Sequence, residues 1–300
     1  MGSPEFAVPC LEKLYNSKHE IIAVVSNPDK RRGRGNQTSP TPVKAKAVEL
    51  GLKTIDAIDV KSDDFTDQLE ALKPDLLVVV AFRILPNKVL EIPVKGSVNL
   101  HASILPKYRG AAPIHWAVMN GETETGCTVF FLNEKVDAGH IISRVKTKIG
   151  ENETTGDIYT RLMSLGSDLL LKAIEKIDSG NVEVAEQDDS EATPAPKLFT
   201  EDAKIDFNCT NQEVHNKIRG LNPFPVAWCM YSNEKMNIYS SVVSDQRGLK
   251  PGEMKFTDQK LYVGCNDGSI ELLELQLPGK KRMSGIDFAN GYELMQLNQN

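Results

Sequence analysis

Three residues near the middle of the chain have side chains suited to acyl chemistry. Asn99 and His101 stand two positions apart in SVNLHASILP, and Asp137 lies in the VDAG sequence that follows FFLNEK. A primary amide can donate a hydrogen bond to an oxyanion as it forms, an imidazole can take and return a proton near neutral pH, and a carboxylate can hold the imidazolium. Such a set suits attack by a neutral amine or hydroxyl on a carbonyl carbon. It needs no side-chain nucleophile. Taken singly, His101 reads as a hydrogen-bonded core histidine, Asn99 as a strand-end cap and Asp137 as a turn residue. The remaining histidines, His19, His115, His140 and His215, lack comparable partners and are read as surface or packing residues.

The elements that must position this trio follow from periodicity. Val98 and Leu100 alternate with Asn99 and His101, which predicts a strand; a loop containing proline and glycine then leads to the helical AAPIHWAVMNG. In an open parallel α/β sheet, ligands lie beyond the carboxyl ends of the strands, where Asn99 and His101 would sit. Asp137 ends the next strand-like run, TVFFLN, so the trio is expected to converge from the ends of adjacent strands. Upstream, EIIAVVSNPDK and the β-branched DLLVVVAF (Asp75 to Phe82) read as buried strands. Helices are predicted in GSPEFAVPCLEKLYNS, starting late because of Pro9, in TPVKAKAVELG, and in DDFTDQLEALK. HIISRVKTKI reads as a further strand. A long amphipathic helix then carries Ile158, Leu162, Leu165, Leu169, Ala173 and Ile177 on one face and stops at Gly180. This alternation predicts an α/β, doubly wound, mostly parallel, Rossmann-like sheet. A strand is expected before the Gly2 turn, but Met1 is already inside that turn, so the predicted sheet lacks its first strand.

The composition is that of a globular protein large enough for one larger and one smaller domain: 300 residues, 40% apolar and 25% charged. We expect a domain over 1–184 and a linker over 185–200, where the composition is acidic and proline-bearing. Residues 201–300, with short strands and turns, are expected to form a small OB-like β-barrel. The net charge of −6 excludes a basic coat but leaves room for local patches. Two basic stretches stand out: Lys30, Arg31, Arg32 and Arg34 in a glycine-containing loop, and Lys280, Lys281 and Arg282 in PGKKRM, with RGLNPFP before the latter carrying Arg219. Solvated surface is the ordinary meaning of such runs. Five scattered cysteines suggest neither a disulfide frame nor a metal site, and point to a reducing compartment. No apolar run approaches the roughly 20 residues of a membrane helix, so no membrane association is expected.

NLHASILPKYRGAAPIHWAV followed by VDAG resembles the 10-formyltetrahydrofolate-dependent formyltransferases. GSPEFAVP, NPDKRRGRG, SPTPVKAKAVELGL, VVVAFRILP and the span from IRGLNPFPVAW to LQLPGKKRM extend the likeness over nearly the whole chain, toward the members that act on methionyl-tRNA. The resemblance implies that Asn99, His101 and Asp137 are catalytic. It implies that Ser103, Ile104, Leu105 and Pro106 touch the folate, with Phe82, Arg83, Ile84 and Leu85 near its pterin. Arg31, Arg32, Arg34, Arg219, Lys280, Lys281 and Arg282 would face tRNA. The implied co-substrate is 10-formyltetrahydrofolate and the implied partner methionyl initiator tRNA; a monomer in the bacterial cytoplasm is the default expectation, with an organellar matrix as the other possibility. The alternatives are a formyltransferase acting on a small amine such as a nucleotide amino sugar, or an RNA-binding protein that has lost catalysis. At AFR, where the family often has AYG, the chain puts Arg83 beside the expected pterin pocket.

Overall fold

A computed structural model describes residues 1–32 and 37–298. Two compact units emerge, neither continuous in sequence: one is Met1–Gly110, Gly126–Thr147 and Tyr159–Pro194, the other Ala111–Thr125, Lys148–Ile158 and Ala195–Asn300. In chain order the first half forms α1 (Val8–Tyr15), β1 (Val24–Ser26), β2 (Lys30–Arg32), β3 (Gln37–Ser39), α2 (Pro42–Glu49), β4 (Thr54–Asp56), α3 (Asp63–Glu70), β5 (Leu77–Val80), α4 (Asn87–Leu90) and β6 (Ser97–His101). Next come α5 (Pro113–Met119), β7 (Glu124–Phe131), β8 (Ile141–Lys148) and α6 (Thr155–Asp178). The second half continues with α7 (Asn211–Gly220), β9 (Ala227–Tyr231), β10 (Glu234–Ser244), β11 (Met254–Thr257), β12 (Lys260–Gly264), β13 (Ser269–Gln276), β14 (Met283–Ser284) and α8 (Gly285–Gly291).

In the first unit, local chemistry sets the helix ends. Thr41 caps α2 by accepting the Lys44 N–H at 3.1 Å, and Ser62 caps α3 by accepting that of Phe65 at 3.2 Å. The expected parallel arrangement is present: β1 pairs with β4, and β5 with β6 from Leu77↔Ser97 to Val80↔Leu100. The run containing TVFF departs from the expectation, because β7 is antiparallel to β6, with His101 opposite Thr128 and Val98 opposite Phe131. β6 and β7 are joined by residues 102–123, which include α5, and a connection of that length can bring the chain back in either direction, so the alternation of strand and helix alone does not make the pair parallel. His101 and Asp137 therefore do not come from adjacent carboxyl ends.

β1 and β5 are bridged by Met1 and Gly2. Gly2 N–H donates to Val25 O at 3.0 Å, and Val80 N–H donates to Met1 O at 2.9 Å. A side chain could not replace Gly2, since a Cβ there would lie 2.8 Å from Val80 O and 2.9 Å from Ala7 Cβ. Beside this bridge lies an apolar cavity of about 300 Å³ lined in part by Leu11, Val24, Leu77 and Ile174. The described parts of the segment read as a basic loop pair as two short strands, with Lys30↔Ser39, Arg31↔Thr38 and Arg32↔Gln37 in antiparallel register. Arg34 lies outside the described residues.

The second unit holds the predicted β architecture as an antiparallel sheet in the order β11-β12-β13-β10-β9, with β14 on β13. Its core includes Ile205, Ile218, Met236, Ile238, Leu261, Leu272 and Phe288. A capping box starts α7, the Thr210 hydroxyl accepting the Glu213 N–H while the Glu213 carboxylate accepts the Thr210 N–H. Among the described residues, no helix is long and apolar enough to cross a membrane.

His215 on α7 is 2% exposed. Its Nε2–H donates to Glu151 O and its Nδ1 accepts the Ser241 hydroxyl, both at 3.1 Å, an arrangement that suits the neutral ring. Burial lowers its pKa below the ordinary histidine value. The unfolded chain therefore takes up a proton that the folded unit resists, and this contribution to stability, complete above the unfolded pKa of about 6.5, is lost as pH falls through it. Thermal melts between about pH 8 and pH 5 should show a smaller acid loss for His215→Asn than for the wild type. Equal losses would contradict this reading.

Candidate active site

On β6, Val98 and Leu100 face the core while Asn99 and His101 share the opposite face, the ordinary consequence of strand alternation. His101 is buried, and its Nε2 lies 2.8 Å from Tyr108 O. A carbonyl only accepts, so Nε2 carries the proton in this contact. Nδ1 is left turned toward Asp137, whose Oδ2 is 3.7 Å away. That separation is too long for a hydrogen bond and short enough for the carboxylate to attract the ring whenever the ring carries a second proton. The amide of Asn99, half-buried, makes no hydrogen bond within the described structure.

Asp137 is held from both sides. Its Oδ2 accepts the Gly110 N–H at 2.9 Å, and its backbone carbonyl accepts Gln187 Nε2 at 3.0 Å. Gln187 also donates to Gly139 O at 2.8 Å, while its Oε1 receives Arg109 Nη2 at 2.8 Å. Asp137 has a φ of +51°, a left-handed conformation that this set of bonds imposes. Gly139 must be glycine, because a Cβ there would fall 1.7 Å from Phe131 O.

The loop after β6 is anchored as tightly. Thr128 Oγ1 donates to Ser103 O at 2.7 Å and accepts the Leu105 N–H at 3.1 Å. The Tyr108 N–H donates to Thr193 Oγ1, and the Arg109 N–H to Thr193 O, both at 2.9 Å. Gln187 and Thr193 lie in the stretch read as linker, so part of that stretch is instead fixed along the first unit. Their polar type is common in linkers, and nothing in their spacing announces the contacts. Tyr108, Gly110 and Thr128 were likewise missed, and of these only the glycine has a type that hints at close backbone approach.

The remaining site residues expected from sequence are variously placed. Ser103, Leu105 and Pro106 are buried, Ile104 is half-buried, and Leu85 sits with Val79 and Val89 in a core cluster against which Phe82 packs. Ile84 is 74% exposed. Arg83 is tied down, its Nη1 donating to Ile58 O at 3.0 Å. Phe82 and Arg83 line a cavity of about 530 Å³ with Ser3, Glu5, Asn27 and Tyr159. A more polar cavity of about 580 Å³ is lined by Asn87, Asn133, Lys135, Ala138, His140 and Gln187, against the Asp137 turn. Arg31 and Arg32 lie on β2, and Arg34 is outside the described residues. In the second unit Lys280, Lys281 and Arg282 are exposed. Arg219 is a correction: it is 5% exposed, and its Nη1 donates to Gly150 O and Glu153 O at 3.2 and 3.0 Å. A guanidinium so enclosed is a structural tie rather than a surface charge.

Fold and site together define a Rossmann-like group-transfer domain, and the chain belongs to the formyl transferase family: residues 1–174 match Formyl transferase, and 197–293 match Formyl transferase, C-terminal domain. Within the family its branch is that of the methionyl-tRNA formyltransferases. The enzyme of that name from Chlorobium luteolum is 42% identical over 97% of this chain and 95% of its own length. The one from Natranaerobius thermophilus is 38% identical over 98% and 96%. Among solved structures, WlaRD, a sugar 3N-formyl transferase crystallised in the presence of dTDP and 5-N-formyl-THF, matches 93% of this chain and 97% of its own at a TM-score of 0.69 and 21% identity. The N-formyltransferase from Helicobacter canadensis, in complex with folinic acid and dTDP-3-aminofucose, matches 90% and 96% at 0.68 and 23%. At these identities the likeness concerns the fold.

Thr128 offers a test of the anchoring. Thr128→Val should leave one buried carbonyl and one buried N–H unpaired, costing roughly 1–3 kcal/mol. Denaturant unfolding should register that loss, and unchanged stability would show that the hydroxyl is not what holds the loop.

Proposed function

We propose that the chain transfers the formyl group of 10-formyltetrahydrofolate to the α-amine of methionine esterified to initiator tRNA. The observation that carries the assignment of roles is the His101 and Asp137 pair at 3.7 Å beside an unengaged Asn99 amide. The free amine attacks the formyl carbon, and the carbonyl oxygen becomes an oxyanion to which the Asn99 amide donates. His101 already gives its Nε2–H to Tyr108, so the chemistry falls to Nδ1, which takes the ammonium proton and returns it to the folate nitrogen as the C–N bond breaks. Asp137, fixed by Gly110, holds the imidazolium while it carries that proton. The donor would lie along the loops containing Phe82–Leu85 and Ser103–Pro106. Leu85 and Leu105 are buried, so their part would be played by backbone groups.

The C-terminal unit would supply RNA contacts through Lys280, Lys281 and Arg282, with Arg31 and Arg32 acting from β2 and Arg34, outside the described residues, expected to join them. Arg219 has no part in this set. Two short basic patches can neutralise phosphates even on an acidic protein.

His101→Ala should lower kcat for formylation of methionyl-tRNA by roughly 10²–10⁴-fold while leaving tRNA affinity nearly unchanged. Retention of most activity would remove the histidine from the mechanism, and formylation of free amino sugars without need of tRNA would overturn the substrate assignment. Lys281→Ala should flatten the dependence of log affinity on log salt by about one unit of slope. An unaltered slope would exclude a phosphate contact there.

A further inference from the structure

The outer face of the C-terminal sheet carries an aromatic and cationic row that none of the catalytic roles above requires. On β9, Ala227, Cys229 and Tyr231 are buried while Trp228 alternates to the other side, half-buried and with part of its ring packed against the core. Lys204 lies directly beside Trp228 through a parallel bridge, with Ala203 and Ile205 buried on either side of it. Across the other edge Trp228 faces Asn237 on β10, and Asn237 faces Gln276 on β13. Residues directly opposite in a sheet point to the same face, so Lys204, Trp228, Asn237 and Gln276 form one row across four chain segments, about 14 Å long at ordinary strand spacing.

Two features of this row suggest a ligand. First, the indole is anchored by a hydrogen bond and flanked by charge. Its Nε1–H donates to Thr200 O at 2.7 Å, and the ammonium groups of Lys235 and Lys204 stand 5.0 and 5.8 Å from the ring centroid. Neither lysine enters an ion pair among the described residues, whereas Lys44, Lys46 and Lys95 each hold carboxylates. Second, the row runs into the basic turn. Gln276 accepts Tyr239 Oη at 2.6 Å and donates to Lys280 O at 2.8 Å, and the Arg282 guanidinium stacks 3.6 Å over the Tyr239 ring.

We infer that this face binds an unpaired stretch of RNA, with Trp228 stacking a base and Lys204 and Lys235 meeting the flanking phosphates. The inference rests on the proposed tRNA substrate and deepens it by naming the surface. A base has a π-face that any indole can take, and stacking outweighs the exposed lysine contact it displaces. The freed ammonium groups then neutralise backbone charge. A protein partner would be expected to meet a larger apolar area and fewer unpaired cations.

The test uses the full-length Trp116→Phe protein, in which Trp228 is the sole tryptophan. Titration with a single-stranded oligoadenylate should quench its fluorescence. With the same oligonucleotide, Trp228→Leu should weaken binding about 5- to 150-fold, Trp228→Phe should keep most of the affinity, and Lys235→Ala should reduce the salt slope by about one. In formylation assays, Trp228→Leu should raise KM for methionyl-tRNA with kcat nearly unchanged. Retained binding by Trp228→Phe guards against a folding defect. Equal quenching by inorganic polyphosphate, which has no bases, would overturn stacking, as would unchanged oligonucleotide affinity in Trp228→Leu. Quenching without any formylation would refute the proposed function and leave the RNA face standing. Normal formylation with no effect at Trp228 would do the reverse.

Discussion

The site depends on one constraint: Asp137 must be carried back along the sheet to reach a histidine on a strand running the opposite way to its own. β7 leaves β6 at Val98↔Phe131, far along the strand from His101, and only the return of residues 132–140 corrects the distance. That return is secured by a small set of directed bonds. Gly110 holds the carboxylate, Gln187 holds the backbone of Asp137 and Gly139, and the absence of a side chain at Gly139 lets the turn lie against Phe131. The imidazole is set separately, through Tyr108. Because each partner has its own anchor, the 3.7 Å separation between them is set by the fold and not by a direct hydrogen bond.

This division explains the role of much of the first unit. The parallel strands provide a rigid floor, and the β-branched run Leu77–Val80 needs no more than burial on both faces to form it. The loop from Ala102 to Gly110 is irregular backbone, yet Thr128 and Thr193 satisfy much of its hydrogen bonding. Polar groups held in this way are costly to disturb, which keeps the geometry of the loop narrow.

Much of this was legible in the residues themselves. Asn99 and His101 alternate with core positions, and the helices at TPVKAKAVELG and DDFTDQLEALK follow from their residue types. The direction of β7 was not, since a strand reads the same in either sense and only its connections decide. The segment around Gln187 and Thr193 was misread because composition reports solubility and not docking. Arg219 was misread for a related reason: a guanidinium in a basic motif and one enclosed by carbonyls are the same letter. Trp228 and the lysines beside it come from different segments, so their meeting could not be seen before the pairing of β9, β10 and the strand-like stretch at Lys204 was known.

The central claim is that Asn99, His101 and Asp137 gather around a single electrophilic carbon. A crystal structure of the protein with a stable 10-formylfolate analogue tests it most directly. The account predicts the formyl carbon within about 4 Å of both the Asn99 amide nitrogen and His101 Nδ1, with the Gly110 contact to Asp137 intact. An analogue seated elsewhere, with its formyl group out of reach of the imidazole, would contradict it.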